Sequence, residues 1–153
     1  MSRSFRLLTL ALAIMASALL LAGCGGVSKK EYEKDVNKVM KSVDEGNFNS
    51  SDPKAANLKD ASKDIEKAAD DLDDITPPDD VKDLHNDLVE GVRELGDLLG
   101  DIAPILTDIE KDPASAAEHA DDMTDIQGRM EKTQAKLEKT IKAFEKKGYD
   151  TKG

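Results

Sequence analysis

The chain has one cysteine, two histidines and no tryptophan in 153 residues, and aromatic residues make up only 3% of it. A lone thiol closes no intrachain disulfide and forms neither a CxxC pair nor a zinc-thiolate cluster, so stability must come from packing. No run of β-branched or aromatic residues alternates with period two, and no strand is expected. Positive charge is also short: 22 Lys and Arg stand against 32 Asp and Glu, for a net charge of −10. That balance disfavours nucleic acid as a partner. No Gly-x-Ser-x-Gly or Gly-x-x-x-x-Gly-Lys motif frames a serine or threonine, and the chain does not read as an enzyme.

What is present begins at the N-terminus. Basic Arg3 and Arg6 precede an apolar run from Leu7 to Leu21, and the small residues Ala22 and Gly23 then lead to Cys24. This is the layout of a secretory signal. Leu21-Ala22-Gly23-Cys24 resembles the lipobox of bacterial lipoproteins, which implies diacylglycerol on the Cys24 sulfur and cleavage between Gly23 and Cys24. The rival reading is an uncleaved membrane helix, since Leu7 to Val27 carries no charge and is long enough to span hydrocarbon. Gly23, Gly25 and Gly26 weigh against it. Each would cost a helix interior up to ~1 kcal/mol, whereas a cleavage site needs small, accessible residues.

The expected organisation is a signal peptide over 1–23, a lipidated glycine-rich tether over 24–28, a helical domain over 29–148 and a short tail over 149–153. About 130 residues then remain, enough for one domain with a modest core. Losing Arg3 and Arg6 leaves the mature chain two charges more negative than the precursor. The resemblance implies a cell-membrane location on the extracytoplasmic face, with lipid on Cys24 as the membrane contact. Two or three acyl chains exceed the threshold for stable anchoring, which a single chain does not reach. Acylation also uses the only thiol, so no cysteine nucleophile remains.

Apolar residues recur at helical spacing through the rest of the chain. Tyr32, Val36, Val39 and Val43 form one face of a first helix, which Gly46 closes. Asn47 to Ser51 reads as a loop. Asp52 and Pro53 then start a second helix with Leu58, Ala61, Ile65, Ala68, Leu72 and Ile75 on its seam. Thr76-Pro77-Pro78-Asp79 predicts a turn and a capping box with Thr76 as cap. The third helix is the most apolar, with Val81, Leu84, Leu88, Val92, Leu95, Leu99, Ile102, Leu106 and Ile109 on its seam and Val89, Leu98 and Ile105 beside it. Pro104 lies inside it and predicts a kink, with Gly100 making room for the ring. Asp112-Pro113 starts a fourth helix whose 4-3 spacing runs through Ala116, Ala120, Met123, Gln127, Met130, Gln134, Leu137, Ile141 and Phe144 to a stop at Gly148. Pro77 to Lys111 and Pro113 to Lys147 are equal in length, about 52 Å if straight. The pattern predicts an all-α, antiparallel up-down bundle of about four helices.

Leu21-Ala22-Gly23-Cys24, the Tyr32, Val36, Val39, Met40 spacing and the stretch from Pro77-Pro78-Asp79-Asp80 to His85-Asn86-Asp87-Leu88 together are similar to uncharacterised all-helical lipoproteins of Gram-positive bacteria. That resemblance implies an exported helical protein and assigns no site residues. Other candidate sites read as structural. Neither His85 nor His119 has a glutamate three residues before it, which removes a carboxylate-bridged di-iron centre. Met40 and His119 could be paired as axial haem ligands, but an edge histidine is the simpler reading. Asp70, Asp71, Asp73, Asp74, Asp79 and Asp80 flank the Pro-Pro turn without EF-hand spacing, and any divalent binding there would be weak. Met40, Met123 and Met130 suit flexible core filling better than copper. Gln127 and Gln134 stand in the apolar seam, but drift of a straight helix off a strict heptad would turn them outward and bring Ile126 and Thr133 in. No cofactor or metal ligand is expected. The reading is a noncatalytic, lipid-anchored bundle acting through an envelope protein partner or as a structural module; the alternative is a bundle that binds a divalent metal or haem.

Overall fold

The structure is a computed structural model, and it describes residues 27–44 and 54–150. The leader, Cys24, the expected cap at Gly46 and the Asp52-Pro53 helix start lie outside those residues. Four α-helices fill the described chain: α1 (Lys29–Asp44), α2 (Ala55–Asp73), α3 (Lys82–Lys111) and α4 (Ala120–Lys146). Short 3-10 turns, Asp79–Val81 and Pro113–Ala117, precede α3 and α4. No strand occurs among the described residues. Tyr32 near the start of α1 meets His85 near the start of α3 and Phe144 near the end of α4. Starts of odd helices and ends of even ones therefore share one pole, as an up-down-up-down bundle requires. The expected all-α fold is the one observed.

Local chemistry explains most of the boundaries. Ser28, expected in the tether, instead caps α1, since its Oγ and its carbonyl both accept from the Glu31 N–H. At the start of α2 the Ala55 N–H donates to Glu110 Oε1 at 3.1 Å, so the far end of α3 supplies the cap. The capping box expected at Thr76 does not form. Pro78 holds an extended conformation (φ −58°, ψ 147°), which postpones the helix, and its carbonyl accepts from Val81 N to close a 3-10 turn. The Asp112-Pro113 start does form: Asp112 Oδ1 accepts from Ala114 N at 3.0 Å, although the first turn is 3-10 rather than α. Gly148 ends α4 with φ +80°, a conformation other residues adopt at a cost. Tyr149, expected in the tail, folds back and is buried.

The main core joins Tyr32 and Val36 of α1, Leu58, Ile65 and Leu72 of α2, Leu88, Val92 and Leu99 of α3, and Phe144 of α4. A smaller cluster of Leu98, Ile105 and Ile126 joins α3 to the first half of α4. On α3 the close contact is with α2. The Ser62 hydroxyl donates to the Gly96 carbonyl at 2.9 Å, and a Cβ at Gly96 would come within 3.3 Å of the α2 backbone at Glu66. Gly100 likewise faces Ser62. The room attributed to the Pro104 ring therefore serves the neighbouring helix, while α3 runs on through an exposed Pro104.

The seam of α4 matches the expected one at Met130, Leu137 and Phe144 and differs from it elsewhere. Ile126, Thr133, Thr140 and Phe144 are buried, whereas Ala116, Ala120, Met123, Gln127 and Gln134 are exposed. The inward turn of Ile126 and Thr133 is the helix drift anticipated for the two glutamines. Gly128 lies in the interior of α4 with nothing within 4 Å of where a Cβ would sit. Gly128→Ala should therefore stabilise the protein by about 1 kcal/mol through helix propensity, raising the melting temperature by a few degrees. A lower melting temperature in a circular-dichroism scan would show that the space is not free.

Candidate functional site

The most organised polar feature is enclosed at the pole where α1 begins. Tyr32 is wholly buried, because its position in the first turn of α1 points it between α3 and the end of α4. Its hydroxyl lies 3.0 Å from His85 Nδ1. His85 is 2% exposed and sits one residue beyond the predicted seam residue Leu84, which is itself only half-buried. Around this pair the Phe144 ring stacks on Tyr32 at 6.1 Å and the Tyr149 ring meets Tyr32 edge-on at 5.8 Å. Three of the five aromatic residues of the chain thus cluster here, with Tyr32 linking the other two rings to His85.

The residues after α4 bind α1 to this centre. Tyr149 donates its hydroxyl to Asp80 Oδ1 at 2.9 Å, and Lys147 Nζ donates to the Asp80 carbonyl. Asp150 N donates to Glu33 Oε1 at 2.9 Å, Asn37 Nδ2 donates to the Asp150 carbonyl at 3.1 Å, and Lys29 Nζ lies 5.0 Å from the Tyr149 ring centre. Burial pushes the Tyr32 hydroxyl far above its ordinary titration range, with the neighbouring Tyr149 adding to the effect. Burial and the bond to Asp80 push Tyr149 up to about 12. Both hydroxyls are therefore neutral donors at physiological pH.

His85 responds to opposing influences. Burial lowers its affinity for a proton most, while Asp73 and the Leu72 carbonyl at the end of α2 favour the proton. The net direction is downward, so the ring is neutral near pH 7. Nε2 is shielded from water and makes no hydrogen bond of regular geometry. The pairing that leaves fewest groups unmatched lets Nδ1 accept from Tyr32 and puts the ring proton on Nε2. This arrangement holds a proton but presents no nucleophile to solvent.

The other candidates are dispersed. His119 lies at the opposite pole, 3.8 Å from Asp108 and 3.6 Å from Asp122. Met40 packs against the main core, about four helical turns short of Asp108, so the two residues weighed as haem ligands lie about 20 Å apart along the bundle. Met130 packs against the smaller cluster, and Met123 is exposed. The aspartates near the Pro-Pro turn have separate partners: Asp70 and Asp73 flank Arg93 at 3.2 and 3.9 Å, and Asp80 receives Tyr149. Among the described residues no group of three or more His, Cys, Asp and Glu could hold a metal ion. No described helix is long and apolar enough to cross a membrane. An open cleft of about 570 Å³ separates α1 from α2, with Val39, Ala68 and Ile75 at its base and Asp35, Lys38, Asp64 and Lys67 among the charges on its rim. Comparison with protein-family models, curated proteins and solved structures finds no match.

The periodic pattern did not reveal the burial of His85. Its partner is 53 residues away, and only the fold brings that hydroxyl to it.

Proposed function

We propose that the chain is an exported, lipid-anchored helical bundle of the bacterial cell envelope, with no catalytic role, which acts through protein contacts or as a structural module outside the membrane. The observation that carries this reading is Leu21-Ala22-Gly23-Cys24 at the end of an uncharged apolar run that follows Arg3 and Arg6. The lipid on Cys24 would sit five residues before α1, so the aromatic pole would be the end nearest the membrane. Enclosure of the His85–Tyr32 pair supports a structural role for the best-formed polar centre, because both side chains are shielded from solvent.

Cys24→Ala tests the anchor directly. The wild-type chain should take up labelled fatty acid and fractionate with membranes, and the variant should lose the label and keep its leader. Label retained by the variant would overturn the assignment. Crosslinking in intact cells followed by mass spectrometry would then separate the two roles, since a protein-interaction module should yield a reproducible partner and a structural module none.

A further inference from the structure

The bond between Tyr32 and His85 crosses from α1 to α3, and α1 has few other deep attachments. Tyr32 and Val36 are its only fully enclosed side chains; Val39, Met40 and Val43 are half-buried. Lys29, Glu33 and Asn37 add surface contacts with residues 149 and 150. By contrast α3 is fixed along its length between α2 and α4. A disturbance at the Tyr32–His85 contact is therefore relieved most easily by movement of α1.

Protonation supplies such a disturbance. A neutral ring accepts the Tyr32 hydroxyl at Nδ1, whereas an imidazolium has donors at both nitrogens and no acceptor. The hydroxyl would have to turn and accept, leaving its own proton unmatched in a site closed to water. We propose that His85 is an acid-sensing latch for α1: a proton on its ring breaks the hydrogen bond to Tyr32 and releases α1, letting water reach the ring. This inference does not depend on the anchoring of the chain.

The sign follows from burial. His85 binds a proton more weakly in the closed bundle than when exposed, so the open state binds protons preferentially. Closure is fully favoured above the ordinary histidine range, near 6.5, and weakens as pH falls below it. The groups facing the site from each side are Tyr32 and Glu33 on α1, Asp73 on α2, Asp80 before α3, and Tyr149 with Lys29 beyond. Asp73 opposes the response but does not reverse it. The response is read in a window of about two pH units below 6.5, where histidine is the side chain that ordinarily changes charge.

The test is residue-resolved amide exchange of the full chain in detergent, corrected for the intrinsic dependence on pH, together with an NMR titration of the His85 ring. Exchange in α1 should rise by up to tenfold for each pH unit below about 6.5, while α2 and α3 keep their protection. The ring should titrate over the same range. His85→Gln, whose amide oxygen can still accept the hydroxyl, should abolish the response. Persistence of the pH response in that variant would overturn the proposal. So would α1 exchange that is flat over the window, or opening of all four helices together. If His85→Gln does not fold, the wild-type ring titration decides: a midpoint that does not coincide with α1 opening rejects the latch.

Discussion

Phe144→Ala should lower the stability of the bundle by about 3–5 kcal/mol, the range for deleting a wholly buried aromatic side chain. Phe144 is fully enclosed, and its ring packs on Tyr32 and Tyr149, each 6.1 Å away between centres. Alanine would leave a cavity at the point where α1, α3, α4 and the returning C-terminal residues meet. The void has few ways to collapse, because Tyr32 is tied to His85 and Tyr149 to Asp80. A loss of this size is a large share of the 5–15 kcal/mol that holds an ordinary domain together. Urea denaturation of the full chain in mild detergent, followed by circular dichroism, measures it directly. A midpoint within error of the parent would mean that the ring cluster is not packed as described.

The four helices were legible in the sequence because three of them carry a wide apolar stripe. Leu58, Ile65 and Leu72 on α2 and Leu88, Val92 and Leu99 on α3 repeat at 3.6-residue spacing and are buried where that spacing puts them. The fourth helix was harder. Its buried set of Ile126, Thr133, Thr140 and Phe144 includes two threonines, so a seam drawn through the most apolar-looking heptad meets the core at Met130, Leu137 and Phe144 but leaves it at Met123, Gln127 and Gln134. Thr133 is tolerated inside because its hydroxyl donates to the Arg129 carbonyl at 3.0 Å, which hides its polarity within its own helix. Tyr149 was missed for another reason. It follows a helix-stopping glycine, yet that glycine turns the chain back onto the bundle and delivers the ring to Asp80. His85 needed tertiary information altogether, since nothing within two helical turns of it supplies the Tyr32 hydroxyl. Local patterns thus specify which segments are helical, and the polar centre is specified only once they pack.

Leu88→Ala should cost about 2–5 kcal/mol, with the value placed by how well its surroundings can relax. Leu88 is 1% exposed and stands one turn beyond His85 on the most apolar helix. It belongs to the larger of the two clusters, where α1, α2 and α3 all contribute side chains, so few neighbours are free to move into the space. Ile105→Ala provides the contrast. Ile105 is 8% exposed and belongs to the smaller cluster between α3 and α4, so its loss should fall at the lower end of the same range. Because α3 runs through both clusters, each variant should shift one cooperative transition rather than create a second. Thermal melts of the parent and the two variants, read by helical circular dichroism, distinguish the outcomes. Equal shifts would show that the two clusters bear load alike, and an unmoved melting temperature for Leu88→Ala would displace the core from the position given to it.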